Sequence, residues 1–234
     1  DSIAAALTSY GIIDLRVTSS GESRGIFCGM GVCHDCLVDV DGNQNQRACM
    51  TKVKNGMRIF KQQFYGKYEL KLSNQKEKNN GDTKVETPDV LIIGGGVGGM
   101  SAASIAAESG LDVILIDDRV SLGGQFSKQP TPFHDATFIS KTDPQIKLGK
   151  KLIKRMSSTG VKVLNGVQIW AGFAERSVLA IIEERNILFR PRKLIVATGA
   201  YERPIPIKGW TLPGVMTTGA VQSLLKTYNV IAGK

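Results

Sequence analysis

Long apolar runs are missing from this 234-residue chain: runs such as those at residues 90–93 and 113–116 are strand-sized and far below the roughly 18 residues that a bilayer span requires. No transmembrane segment is expected. The N-terminus has neither the basic region nor the long apolar stretch of a secretory signal, and it lacks an initiator Met, so the natural start is expected upstream of Asp1. Aromatic residues make up 6% of the chain and do not interleave with the basic ones, which are scattered (Lys61, Lys67, Lys71, Lys76, Lys78, then Lys147, Lys150, Lys151, Lys154, Arg155). The net charge of +9 could steer the chain toward nucleic acid, an anionic membrane or an acidic partner, but without a nucleic-acid motif it does not predict nucleic-acid binding. Cysteine is scarce, with four residues confined to positions 28–49. A composition that is 42% hydrophobic and 22% charged excludes global disorder, and the length allows one or two domains.

Three textures follow one another. Residues 1–60 hold all the cysteines and read as a small, loop-rich unit with a short helix at 3–10 and a strand near 14–18. Residues 61–87 are polar and read as a linker, with no large hydrophobe between Ser73 and Asp82. From 88 to 234 strand and helix alternate: an apolar run at 90–93, a glycine turn, an Ala-rich helix at 100–109 and a second apolar run at 113–116 make a βαβ unit with a parallel sheet. An amphipathic helix at 146–158 follows, then strands at 161–164, 178–183 and 193–197, which read as a meander joining the same sheet. No internal repeat is visible.

The cysteines Cys28, Cys33, Cys36 and Cys49 are spaced C-x4-C-x2-C, then twelve residues, then C. The first three match the plant-type spacing for a [2Fe-2S] cluster. Such a core has two irons with two thiolates each, so a compact loop must wrap it while a hairpin returns the fourth sulfur. Gly29 and Gly31 allow the tight wrapping, and Asp41-Gly42 is a strong hairpin signal before Cys49. Two disulfides or a four-cysteine zinc site are the alternatives; zinc sites of that kind more often use two C-x2-C pairs, and here there is one. His34, between two of the cysteines, reads as a surface residue.

The run Arg24-Gly25-Ile26-Phe27-Cys28-Gly29-Met30-Gly31-Val32-Cys33-His34-Asp35-Cys36, with Val40-Asp41-Gly42 and Arg47-Ala48-Cys49-Met50-Thr51, resembles the small ferredoxin-like domain of amine-oxidising flavoprotein complexes. These include opine oxidases, multi-subunit hydroxyproline and proline dehydrogenases and hydrogen cyanide synthase, with the α subunit of heterotetrameric sarcosine oxidase a more distant relative. Against that family the chain is expected to lack two strands before Asp1 and a C-terminal portion after Lys234.

Gly94-Gly95-Gly96-Val97-Gly98-Gly99 satisfies G-x-G-x-x-G between a predicted strand and helix, and Asp117 and Asp118 end the next strand. Gly94 permits the turn, Gly96 admits a pyrophosphate, Gly99 permits close helix packing, and the helix N-terminus offers amides to phosphate. A carboxylate at the second strand end accepts from an unphosphorylated ribose. Gly123-Gly124-Gln125, then Leu194-Ile195-Val196-Ala197-Thr198-Gly199-Ala200, resemble the later fingerprints of two-dinucleotide-domain flavoproteins, in which the first segment approaches FAD and the second closes over it. The resemblance favours FAD over NAD at this site, with a nicotinamide or a flavin-less adenine nucleotide as the alternative, and puts NAD(P) in the absent C-terminal part. The tail from Thr198-Gly199 through Gly219-Ala220 resembles the same amine dehydrogenases.

The expected fold is thus α/β: an incomplete Rossmann-like FAD-binding domain preceded by an incomplete ferredoxin-like α+β [2Fe-2S] domain. The resemblance implies the A-type or α subunit of an amino acid dehydrogenase, passing electrons from a separate FAD-containing β-type subunit that oxidises a secondary amine or imino acid, toward an onward electron acceptor. A reductase carrying electrons from NAD(P)H to an oxygenase, and a non-catalytic nucleotide-binding assembly protein, are the alternatives. No acid, base or nucleophile stands out; His134, Tyr201, Glu202 and Arg203 are polar residues near motif segments and no more. Reduced thiols and the absent export signal imply a cytoplasmic protein.

Overall fold

The computed structural model describes residues 1–63, 83–134, 138–183, 185–203 and 205–233. The chain divides into two compact units: Asp1–Leu70, Pro130–Ser140 and Tyr201–Lys234 form one, and Lys71–Gln129 with Lys141–Ala200 form the other. Most of the stretch expected as a linker, residues 64–82, lies outside the described residues. Its described ends carry strand residues, Lys61 on one side and Lys84–Glu86 on the other. Residues 201–233 group by contact with the cysteine-bearing unit.

In the first unit, helix α1 (Ile3–Ser9) starts at Ser2, whose hydroxyl accepts from the Ala5 N–H at 3.1 Å. Its Ile3, Ala4 and Ala5 are buried, and the amides of Ile3 and Ala4 donate to the carbonyls of Thr51 and Ala48, either side of Cys49. The short pair β1 (Arg16–Val17) and β2 (Ser23–Arg24) precedes the cysteine loop. Strand β3 (Leu37–Val40) buries Val38 and Val40 on alternate positions and turns at Asp41-Gly42 into β4 (Asn43–Arg47). Both turn residues have positive φ, 50° and 83°, the signature of the primed turn that an Asp-Gly pair favours. Strand β5 (Ile59–Lys61) pairs with the other edge of β3.

The second unit has three layers. Strand β6 (Lys84–Glu86) leads to β7 (Val90–Ile93), helix α2 (Val97–Glu108) and β8 (Val113–Asp117). After α3 (Phe138–Thr142) and α4 (Pro144–Ser157) come β9 (Lys162–Asn165), β10 (Gln168–Gly172), β11 (Val178–Ile182), β12 (Arg185–Phe189) and β13 (Lys193–Val196). The parallel sheet runs β13-β7-β8-β9. Val90, Ile92, Val113 and Leu115 point to the side where Met100 and Ala103 of α2 and Met156 of α4 pack, while Leu91, Ile114 and Ile116 pack with Val178, Ala180, Ile187 and Phe189. Those last residues belong to a separate sheet, β10-β11-β12-β6, which corrects the expectation that the strand at 178–183 joins the parallel sheet. Alternation dictates that a strand covers one face and exposes the other, but it does not dictate which sheet it enters.

Helix α5 (Thr218–Tyr228) completes the first unit. Thr217 caps it, Asn229 ends it in a left-handed conformation, and Ala220 and Leu224 enter the core of Ile3, Leu15, Ile26, Val38 and Val40. Among the described residues, no helix is long and apolar enough to cross a membrane. Leu115, fully buried in β8, tests the layered core: Leu115→Ala is expected to cost about 2–5 kcal/mol, read as a lower urea midpoint with an unchanged slope.

Candidate functional site

The cysteine loop is built from backbone conformations that side chains resist. Gly29 and Gly31 have φ of 62° and 80°, and His34 also sits at positive φ, 60°. A Cβ on Gly29 would stand 2.8 Å from the Cα of Ala220, and one on Gly31 would stand 2.7 Å from Cγ of Met50. The loop is held from outside by arginines. Arg47 donates to the Gly31 carbonyl at 2.8 Å, and Arg16 donates to both the carbonyl and the carboxylate of Asp35 at 3.1 Å. Neither arginine is identifiable as a site residue from sequence, because a basic residue does not reveal which carbonyl it will meet.

All four cysteines are free, with Cys28, Cys36 and Cys49 buried and Cys33 partly exposed. Their sulfurs form two hydrogen-bonded pairs. The bond from Cys33 pulls the Cys28 thiol down to about 5 and pushes Cys33 up, and the bond between Cys36 and Cys49 likewise lowers Cys36 and raises Cys49. The amide of Met30 donates to the Cys28 sulfur at 3.3 Å and that of Asp35 to the Cys33 sulfur at 3.5 Å, contacts that favour thiolate. Among the described residues no group of three or more Cys, His, Asp or Glu is placed to hold a single metal ion.

The glycine turn lies in the second unit. Gly94, at φ 109°, would drive a Cβ to 2.3 Å from the Ala197 carbonyl oxygen, and a Cβ on Gly99 would stand 1.8 Å from the oxygen of Gly94. Gly96 faces Gly124: a Cβ on Gly124, itself at φ 62°, would meet the Gly96 Cα at 2.8 Å. The Gly123 amide donates to the Gly95 carbonyl at 2.9 Å, tying the second glycine pair to the first. Around Gly98 nothing lies within 4 Å of a Cβ. Thr198 and Gly199 follow β13, Gly199 exposed at φ 70°. The Gln125 side chain accepts from Lys128, a buried lysine that no sequence motif marks.

The two acids at the end of β8 differ. Asp117 is buried and accepts from the amides of Gly95 and Arg119, and burial holds its carboxyl above the ordinary aspartate range. Asp118 stands half exposed, 3.8 Å from Arg119. Of the polar residues near the motifs, Glu202 accepts from the Gly219 amide at 2.8 Å in the first turn of α5, and His134 lies 3.2 Å from the Asp1 carboxylate. Each has a structural partner.

Residues 1–63 match the 2Fe-2S iron-sulfur cluster binding domain, and residues 88–230 match the pyridine nucleotide-disulphide oxidoreductase family. The chain is 34% identical over 145 residues to the A subunit of opine oxidase from Rhizobium meliloti (strain 1021), covering 62% of this chain and 31% of that protein. It is 44% identical over 59 residues to the HcnA subunit of hydrogen cyanide synthase from Pseudomonas aeruginosa, covering 25% of this chain and 57% of that one. The chain therefore spans less than two thirds of the length of these curated relatives. The L-proline dehydrogenase structure from P. horikoshii superposes over 100% of this chain and 44% of its own, with a TM-score of 0.78 and 22% identity, which shows a common fold.

Neighbouring glycines separate space from conformation. Gly98→Ala is expected to be neutral or to stabilise by up to about 1 kcal/mol, as for an open position within a helix, whereas Gly99→Ala must displace the Gly94 backbone and lower the thermal midpoint. Gly29→Ala, strained in φ and against Ala220, is expected to lower the iron content of the purified protein as well as its thermal midpoint.

Proposed function

The chain belongs to the pyridine nucleotide-disulphide oxidoreductase family, and from that premise we propose that it is an electron-transferring iron-sulfur flavoprotein subunit of an amine or amino acid dehydrogenase. The single observation that carries this reading is the presence, in one polypeptide, of four free cysteines gathered on one loop and hairpin and a glycine turn at the N-terminus of α2. The two matched domains support a [2Fe-2S] cluster and FAD as cofactors. Disulfide chemistry is not part of the proposal, since no cysteine lies between residues 88 and 230.

In this reading Cys28 with Cys33 would ligate one iron and Cys36 with Cys49 the other. Gly94, Gly96, Gly98 and Gly99 would cradle the pyrophosphate against the N-terminus of α2, with Gly123, Gly124 and Gln125 forming the facing wall. Asp118 would accept from ribose, while Asp117 holds the Gly95 amide in place; Thr198 and Gly199 would close the site after β13. Bound flavin exchanges electrons in pairs or singly and the cluster carries one at a time, so together they convert a two-electron oxidation into single-electron steps.

The relatives' names, opine oxidase and hydrogen cyanide synthase, point to C–N oxidation, and both name subunits of an assembly. We place that oxidation in a partner protein carrying its own FAD, as the resemblance implies; of the four polar residues near the motifs, Glu202 and His134 are engaged in structural contacts. The domain plan follows the same reading: an iron-sulfur part over residues 1–60, a connection over 61–87 and an FAD part from 88 onward. Cytoplasmic residence follows from thiols that must stay reduced to bind iron.

Turnover of proline, hydroxyproline, an opine and glycine with an artificial acceptor is the test, run with and without the partner. Amine-dependent dye reduction is expected only with the partner present. Turnover by this protein alone would contradict the division of labour, and flavin bleaching by NADH without amine would favour a reductase.

A further inference from the structure

Residues that the sequence attaches to the dinucleotide domain lie along the cysteine loop. Four contacts stitch residues 210–220 to residues 25–29. A Cβ on Gly25 would stand 3.4 Å from the Pro213 Cα, and the Thr217 amide donates to the Phe27 carbonyl at 2.9 Å. Phe27 and Trp210 meet edge to face, ring centroids 5.0 Å apart at 71°, and Gly29 abuts Ala220. The indole packs against one apolar cluster with Phe27, Cys28 and Met30, and Cys33 packs there too. Phe27, Cys28 and Met30 are 6%, 1% and 3% exposed, so the partly open members of the set are Cys33 and Trp210 itself. The position of the indole is fixed locally: Gly209 turns at φ 87°, and the Trp210 amide donates to the Ile207 carbonyl at 3.0 Å.

We propose that Trp210 is a positioning residue for the iron-sulfur centre, screening the Cys28–Cys33 side from water and thereby holding the reduction potential down and protecting the iron on that side. The proposal rests on the [2Fe-2S] reading of the four cysteines. A two-iron, two-sulfide core with four thiolates is anionic, and reduction adds a further negative charge. Water stabilises the more highly charged state more strongly, so an apolar wall that excludes water disfavours reduction. The amides of Met30 and Asp35 act in the opposite sense by donating to the sulfurs. Their contribution is set by the loop backbone, whereas that of Trp210 is set by one side chain and can be removed alone.

The test compares the intact, cluster-loaded protein with Trp210→Ala and Trp210→Phe. The readouts are the cluster midpoint potential, from a titration followed by electron paramagnetic resonance, and the rate at which an iron chelator bleaches the visible absorbance. Trp210→Ala is expected to shift the potential in the positive direction and to bleach several-fold faster, with Trp210→Phe between it and the parent. A cluster-loaded Trp210→Ala with the parent's potential and bleaching rate overturns the proposal. If Trp210→Ala is isolated without a cluster, Trp210→Phe decides by the same criterion. A parent protein isolated without iron would instead overturn the reading on which the proposal rests.

Discussion

Four sulfurs that ionise more easily when they bind metal must be brought close together inside a protein, and their repulsion has to be offset by the backbone around them. That constraint shapes the first unit. The loop carries positive φ at Gly29, Gly31 and His34, which frees amides such as those of Met30 and Asp35 to face sulfur. The fourth sulfur arrives on the Asp41-Gly42 hairpin, and α1 pins its neighbourhood through the Ala48 and Thr51 carbonyls. Arg47 and Arg16 hold the outer rim by its carbonyls and by Asp35. Helix α5 then fills the space beside Gly29 that any larger residue would occupy.

The second unit meets a related demand by related means. A dinucleotide's phosphates ask for amides and close approach, which glycine supplies and side chains obstruct. Gly94, Gly96, Gly99 and Gly124 are each in contact, or would be once given a Cβ, with the backbone around the turn. Behind that turn, α2 and α4 cover one side of the parallel sheet and β11 and β12 cover the other. Burying both faces is what lets β7 and most of β8 be apolar along their length.

Much of this was legible in the sequence because it depends on neighbours close in the chain. The hairpin follows from Asp41-Gly42, the βαβ unit from two apolar runs around a glycine turn, and α4 from its amphipathic spacing. What stayed hidden depends on distant partners. Residues 178–182 alternate as a strand in either sheet would, and only their packing on Leu91 and Ile114 decides the matter. Helix α5 itself was not foreseen, and its buried face of Ala220 and Leu224 is defined only by Ile3 and Leu15, which lie far off in sequence. Within the site, the strand-end position of Asp117 is plain in the sequence, but its contact with the Gly95 amide is not, because that partner lies 22 residues away.

The central claim is that the four cysteines bind a two-iron cluster in a protein that also binds flavin. Metal, acid-labile sulfide and flavin analysis of the intact protein, combined with an electron paramagnetic resonance spectrum after dithionite reduction, addresses it most directly. The account predicts two irons, two sulfides and flavin per chain, with a spin-half signal on reduction. A colourless protein with one zinc per chain, no sulfide and no flavin would contradict it.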